Sequence, residues 1–333
     1  GDVYKRQTVQ GMLDNNPEMN SETQTWRVEP AALNVPIGLG AGQFRAIGRT
    51  IATAYLPQIR QRLKQSIDRI QSGQSKAELK QLFQRIENRP PTEDGDISYV
   101  IISSLAGGTG AGLLFPVADL VRGMDDVAGN DSVGLLYTPE VFETLGGAMT
   151  GGVQANSLAA ISELLNGYWW GGSQSKGNDA IVDPKSSPSL KLAGVPNRIS
   201  RSGPAYPFLI GRTGSSGVTF GLPEDLFEMV GRTLVSWVVD PSVSDVLNAN
   251  VLGNWGNASI SHEQSDVLVY APDNFQNSKN HEKGHPNISG IGFARVGIGT
   301  DWFEKYSSRR LALDGLRLVA RAHLENPQAR VHA

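Results

Sequence analysis

Apolar residues recur every three or four positions over several long stretches of the chain. This spacing is typical of helices that bury one face and expose the other. The longest stretch runs from Ile47 to Ile70 and is followed by a second at 76–87. Further helical patterns occupy 113–123, 153–168, 223–238 and 302–324. The chain is therefore predicted to contain at least six helices.

Short apolar runs rich in β-branched and aromatic residues lie between these stretches and predict strands. They occupy 33–37, 97–102, 132–138, 206–210, 267–270 and 291–298. The run at 97–102 is almost free of polar side chains, which is typical of a parallel strand covered on both faces. Alternating strands and helices predict an α/β fold with a mostly parallel sheet flanked by helices.

The composition narrows the classes of protein. The 333 residues suffice for one large or two ordinary domains, and the absence of Cys excludes disulfides and thiolate chemistry. A net charge of −3 gives no electrostatic argument for binding nucleic acid or anionic membranes. There is no run of eighteen apolar residues, no signal pattern and no initiator Met, so we expect a cytoplasmic fragment lacking its N terminus.

One segment combines a predicted strand, a loop of small residues and a helix in direct succession. After the strand at 97–102, residues 106–112 read AGGTGAG, and the helical pattern starts at Leu113. Such a loop brings backbone N–H groups close to an anion, and the helix dipole favours negative charge there. Four glycines cost more backbone entropy than a simple turn requires. The loop therefore predicts a phosphate site, with a tight turn that binds no ligand as the alternative.

The two commonest phosphate-binding motifs do not fit this loop. A Walker loop requires a Lys after its last glycine, and Leu113 occupies that position. A dinucleotide fingerprint requires G-x-G-x-x-G with an acidic ribose partner after the next strand. The loop has neither feature.

The loop resembles instead the signature of the tubulin and FtsZ family of GTP-binding, filament-forming proteins, where GGTG(T/S)G follows a strand. Residues 38–52, GLGAGQFRAIGRTIA, are similar to a second segment of that family, GLGAGxxxxxGRxxA, which closes over the terminal phosphate. The resemblance implies a Rossmann-like nucleotide-binding domain and GTP or GDP with Mg²⁺. It also implies nucleotide contacts from two sets of residues: Gly38, Gly40, Ala41, Gly42, Gln43 and Arg45, and Gly107, Gly108, Thr109, Gly110, Ala111 and Gly112.

Weaker similarities extend the resemblance along the chain. Residues 139–143, PEVFE, are similar to a stretch whose last acid contacts the ribose, which implies that role for Glu143; the alternative is an acid favoured by a helix dipole. The helix from Pro223 resembles the central helix that stacks on guanine, and Phe227 is the candidate, with a core position as the alternative. Residues 292–299, GFARVGIG, resemble a strand of the second domain.

The resemblance also implies a domain organisation. Residues 1–222 form the GTP-binding domain without its first phosphate loop, 223–249 the central connecting helix, and 250–333 a partial second α+β domain. In the family, a neighbouring subunit of the filament supplies an acid from a G-x-x-N-x-D loop. The segment at 248–270 does not spell that motif, so Glu263 and Asp266 are the candidates for polarising water.

Three alternative functions are considered from this interpretation of the sequence. The first is a GTPase that assembles into filaments of its own copies, and the second is a non-hydrolysing nucleotide-binding scaffold of the same fold. A dinucleotide-dependent oxidoreductase is disfavoured by the loop spelling. Residues 45–89 carry ten Lys or Arg against three acids, which indicates either a solvated face or a surface for an accessory protein. No metal site is predicted, since His281 and His285 lie among loop-forming residues.

Overall fold

The computed structural model describes most of the chain. It covers residues 7–24, 26–29, 33–87, 99–124, 132–145, 151–170, 187–199, 202–214, 219–240, 242–247, 289–290 and 300–325, with single residues 185, 217 and 249. The chain divides into two compact units, Gly1–Ile291 and Gly292–Ala333. The predicted strands at 267–270 and 291–298 lie outside the described residues, and the predicted domain boundaries stay predictions.

Four parallel strands form one sheet in the order β1–β2–β3–β4. They are β1 (Val100–Ser104), β2 (Val133–Tyr137), β3 (Tyr206–Ile210) and β4 (Ser289–Gly290). The register pairs Ile102 with Leu135 and Leu135 with Phe208, so these side chains share one face. The predicted strands that became β1, β2 and β3 are confirmed, with ends shifted by at most a few residues.

Nine α-helices have both ends defined, and residues 242–247 are helical as well. In the first unit they are α1 (Val9–Asp14), α2 (Pro17–Thr23), α3 (Arg45–Gln71), α4 (Gly73–Glu87), α5 (Gly108–Gly123), α6 (Val153–Trp170), α7 (Pro188–Leu192) and α8 (Pro223–Val239). The second unit contains α9 (Thr300–Glu325), and two 3-10 helices occupy Ile37–Leu39 and Pro139–Leu145. All six predicted helices are present. None of the helices in the described ranges combines the length and apolarity that a bilayer span requires.

The main core lies around β2 and β3. β2 is buried at all five positions. α8 contributes Leu226, Met229 and Val230 to this core, while α5 and α6 contribute Leu114, Phe115 and Leu164. The predicted α/β class, with a parallel sheet flanked by helices, is confirmed.

β1 differs from the prediction of a strand covered on both faces. Val100 and Ile102 are 40% and 51% exposed, although Leu135 beside Ile102 is only 1% exposed. β1 is the edge strand of the described sheet and pairs there with β2 alone. An apolar run thus identified the strand correctly but not its position in the sheet.

The described residues between 7 and 40 contribute to a second core that the apolar pattern did not reveal. α1 is capped by Thr8, whose Oγ1 accepts the N–H of Gly11 at 3.1 Å, and α2 is capped by Asn16. Their apolar residues pack with the start of α3 in one cluster: Val9, Met12, Leu13, Met19, Leu33, Ala41 and Ile47. The predicted strand at 33–37 is wrong, since a 3-10 helix starts at Ile37 and Pro36 makes only one isolated bridge.

The segment 171–204 shows no helical pattern in its apolar residues, yet its described part contains helix α7. Leu190, Val195 and Ile199 are buried there, and Leu190 and Val195 pack against α3 and α5. The Gly, Ser and Pro content of this segment concealed a short, well-packed element.

A buried acid fixes the chain as it enters β3. Asp119 on α5 accepts the Ser202 hydroxyl at 2.6 Å and the Gly203 N–H at 2.7 Å. Arg122 donates from Nη1 to the Gly203 carbonyl at 2.9 Å. Burial raises the pKa of Asp119 to about 6, although the hydrogen bonds and the charge of Arg122 act in the opposite direction. The folded protein therefore binds a proton here that the unfolded chain releases near pH 4.

Because the folded pKa exceeds the unfolded one, the contribution of Asp119 to stability is full below about pH 4 and falls as the pH rises through about 6. We expect Asp119→Asn to abolish this loss, because the amide still accepts from Gly203 and donates to Ser202. The free energy of unfolding of the variant minus that of the wild type should rise by about 2 kcal/mol from pH 4 to pH 7. Urea unfolding at several pH values measures this difference. If the free energies of unfolding of the two proteins changed equally with pH, the raised pKa of Asp119 would be contradicted.

Candidate functional site

The candidate site lies at the carboxyl edge of the sheet. β1, β2 and β3 are parallel, so the loops that follow Ser104, Tyr137 and Ile210 leave the sheet on the same side. In open α/β sheets, ligands bind in the crevice outside these strand ends. The loop between β1 and α5 contains 106–107, and α5 begins at Gly108.

The two predicted glycine loops lie side by side at this edge. The N–H of Gly108 donates to the Gly42 carbonyl at 2.8 Å. The N–H of Ala41 donates to Oγ1 of Thr109 at 3.3 Å. Gly40 and Gly42 adopt φ values of 76° and 53°, which glycine tolerates best. Two segments separated by more than sixty residues are thus joined at the N terminus of α5.

Close packing of α3 against α5 explains most of these glycines. A Cβ at Gly48 would lie 2.1 Å from the Gly108 carbonyl oxygen, and a Cβ at Gly112 would lie 2.6 Å from the Arg49 nitrogen. A Cβ at Gly108 would lie 2.6 Å from the Phe44 nitrogen. The two helix backbones therefore touch where they cross, and any side chain at these positions would separate them. Gly110 is constrained similarly by β1, because its Cβ would lie 2.6 Å from the Ser104 carbonyl oxygen.

Gly107 is different from the other glycines of this loop. It has an extended backbone with φ −85°, and a Cβ added to it would meet no atom within 4 Å. Neither conformation nor packing within the described structure requires glycine here. The N–H groups of Gly107, Thr109 and Gly110 have no hydrogen-bond acceptor among the described residues. These donors stand at the positive end of a sixteen-residue helix and suit an anion.

Arg45 joins three helices. Its Nη1 and Nη2 donate to the two carboxylate oxygens of Glu163 on α6 at 2.7 and 2.8 Å, and its Nε donates to the Ala111 carbonyl at 3.1 Å. Arg49 approaches the same carboxylate at 3.4 Å. Burial raises the pKa of Glu163, but the hydrogen bond from Arg45 and the charges of both arginines bring it below its ordinary value. The predicted nucleotide contact of Arg45 stays a prediction.

The N-terminal end of α6 holds both loops and was missed by the sequence analysis. The Gly152 N–H donates to Gln43 Oε1 at 2.8 Å. Asn156 donates from Nδ2 to the carbonyls of Gln43 and Ala106, at 2.7 and 3.0 Å. Ser157 donates to the Leu105 carbonyl at 3.0 Å. These polar residues sit within an ordinary helical pattern, so a single sequence carries no signal for their role.

The remaining predicted contacts lie at the ends of β2 and β3. Glu143 is exposed on the 3-10 helix at Pro139–Leu145. In the same segment Glu140 accepts the Arg212 N–H at 2.6 Å and thereby ties the end of β3 to the chain after β2. Phe227 on α8 is 41% exposed and meets the ring of Tyr137 edge to face at 5.1 Å between centroids. Both predicted roles, at the ribose and at the base, remain predictions.

The proposed catalytic acids Glu263 and Asp266 lie outside the described residues, as do His281 and His285. Within the described ranges, no group of three or more His, Cys, Asp or Glu side chains is placed to hold a metal ion.

A family model described as "Tubulin like" matches residues 3–317, which is nearly the whole chain and includes both glycine loops. No curated protein and no solved structure matches the chain.

The crossing of α3 and α5 is tested by adding a single methyl group. We expect Gly112→Ala to lower the free energy of unfolding by about 1–3 kcal/mol, because the new Cβ meets backbone atoms that cannot move independently. Gly231→Ala is the matched control, since Gly231 is also inside a helix but a Cβ there meets nothing within 4 Å. The control should gain about 0.5–1 kcal/mol. Equal urea-unfolding midpoints for the two variants would rule out the crossing.

Proposed function

The chain belongs to the tubulin-like family, and on that premise we propose that it binds a guanine nucleotide at its two glycine loops and assembles into filaments. The nucleotide phosphates lie against Gly107 to Gly110 and against Gly40 to Gly42. Hydrolysis of GTP takes place where one subunit of the filament meets the next. The cytoplasm is the site of this activity because nucleoside triphosphates are supplied there.

The observation that supports phosphate binding most directly is the surroundings of Gly107. The other glycines of the loop are accounted for by contacts with α3 and β1, whereas Gly107 faces open space. The protein itself leaves room for a larger residue at this position, yet the residue is glycine. Glycine without a side chain allows a ligand to approach the backbone closely. The N–H groups of Gly107, Thr109 and Gly110, which have no acceptor within the described ranges, offer the hydrogen bonds that phosphate oxygens accept.

Mg²⁺ accompanies the nucleotide in this proposal and is held mainly by phosphate oxygens and water. That arrangement suits Mg²⁺, which commonly binds through substrate phosphates with few protein ligands. It also suits the described residues, which provide no cluster of acids. Glu143 contacts the ribose and Phe227 the base in this proposal, and the preference for guanine rests on the family.

Assembly brings a second copy of the chain onto the nucleotide, and its Glu263 or Asp266 polarises the attacking water. An accessory protein is a further proposed partner, on the face of α4 that exposes Leu79, Leu82 and Ile86 beside basic residues. A non-hydrolysing scaffold is the second candidate function, because residues 248–270 lack the acidic motif expected for hydrolysis.

Binding is tested by titrating the 333-residue chain with a fluorescent GTP analogue, with ATP and NAD as competitors. We expect competition by GTP above both others. Gly107→Ala should weaken binding at least tenfold, about 1.4 kcal/mol, because its methyl group occupies the space the phosphate needs. Its melting temperature without nucleotide should be unchanged, since that methyl group meets no protein atom. Unchanged affinity in this variant would refute the phosphate site, and stronger competition by NAD would favour a dinucleotide enzyme.

Shared-site hydrolysis makes a separate prediction about protein concentration. If a neighbouring subunit completes the site, phosphate release per subunit should rise as the protein concentration passes the onset of assembly. Light scattering on the same samples locates that onset. A constant rate per subunit would place the whole catalytic site within one chain. Binding without any phosphate release would establish the scaffold function.

A further inference from the structure

Asn156 makes an unusual pair of contacts for a helical side chain. Its one amide nitrogen donates to two backbone carbonyls, Gln43 at 2.7 Å and Ala106 at 3.0 Å, and the residue is only 8% exposed. One carbonyl follows the first glycine loop and the other precedes the second. A side-chain NH₂ group carries two donors, so both are used and neither loop can turn without breaking one.

The contact with Ala106 also orients the neighbouring N–H. The Ala106 carbonyl and the Gly107 N–H belong to the same peptide group, which is planar and trans, so they point in opposite directions. By holding the carbonyl on its own side, Asn156 directs the Gly107 N–H away from α6. That N–H, at the start of α5, has no hydrogen-bond acceptor among the described residues. A hydrogen bond to the carbonyl also polarises the peptide group and strengthens its donor.

Resting on the proposed function, we propose that Asn156 is a positioning residue for nucleotide binding: it sets the direction of the Gly107 N–H and the spacing of the two loops. It touches no phosphate itself. Its contribution therefore passes through the peptide group between Ala106 and Gly107.

Ser157 provides a matched control. It is the next residue on α6, is 3% exposed, and donates to the Leu105 carbonyl at 3.0 Å. That carbonyl shares its peptide group with the Ala106 N–H, so Ser157 has no direct influence on the Gly107 N–H. Removing either side chain deletes hydrogen bonds between α6 and the loop after β1, but only Asn156→Ala releases the Gly107 peptide group.

The test measures nucleotide affinity, thermal stability and an NMR signal in Asn156→Ala and Ser157→Ala. We expect Asn156→Ala to weaken binding of the fluorescent GTP analogue at least tenfold, and Ser157→Ala to change it less than twofold. Melting temperatures without nucleotide should fall in both variants. Equal losses of affinity in the two variants, or wild-type affinity in Asn156→Ala, would overturn the proposal.

The NMR signal separates this proposal from the proposed function. In protein labelled with ¹⁵N-glycine, the Gly107 resonance is the one absent from Gly107→Ala. Asn156→Ala should shift it without nucleotide, and Ser157→Ala should leave it in place; no shift in Asn156→Ala would overturn the orienting role. If the wild type binds no nucleotide, the proposed function fails whatever the signal does. Should Asn156→Ala not fold, Asn156→Ser, which keeps one donor, is judged by the same criteria.

Discussion

The contact between the backbones of α3 and α5 is the constraint on which the rest of the site depends. Gly48 on one helix faces Gly108 on the other, and Gly112 lies against the first turns of α3. Without side chains at these positions, the helices approach until carbonyl and amide groups of one chain segment touch those of the other. The segment at 38–42, which precedes α3, is thereby carried to the start of α5. The two loops therefore lie side by side at the carboxyl edge of the sheet because α3 packs against α5.

This packing gives a second explanation for most glycines of the site. A glycine-rich loop is readily interpreted as a phosphate cradle, but Gly108, Gly110 and Gly112 each have a steric reason within the protein. Only Gly107, among the four glycines of that loop, has an extended backbone and empty space beside it. Gly107 therefore favours a ligand more directly than the other glycines do, together with the neighbouring N–H groups that have no acceptor in the described part of the chain.

Buried and half-buried polar side chains then fix the geometry that packing permits. Glu163 holds Arg45 against α5, and Asn156 fastens both loops to the start of α6. Asp119 does the same for the entry to β3, at the cost of a raised pKa. Each contact joins elements distant in sequence, and each satisfies groups that burial would otherwise leave unpaired. The carboxyl edge is thus held by α3, α5 and α6 together, which suits a site that must keep several backbone donors aligned.

The sequence by itself determined the six long helices, the first three strands of the sheet and the family. Helical periodicity, apolar runs and glycine-rich motifs are all properties of a short stretch of sequence. It did not reveal the N-terminal core around Leu13 and Met19, helix α7, or the exposed edge at Ile102, since these depend on what packs against each segment. The same limit applies to the site. The glycine-rich motifs at 38–42 and 107–112 identified both loops, but Asn156 and Glu163 cannot be distinguished in the sequence from other polar residues of a helix. Only the tertiary structure identified their partners, because hydrogen bonds between residues fifty or more positions apart do not affect the local sequence pattern.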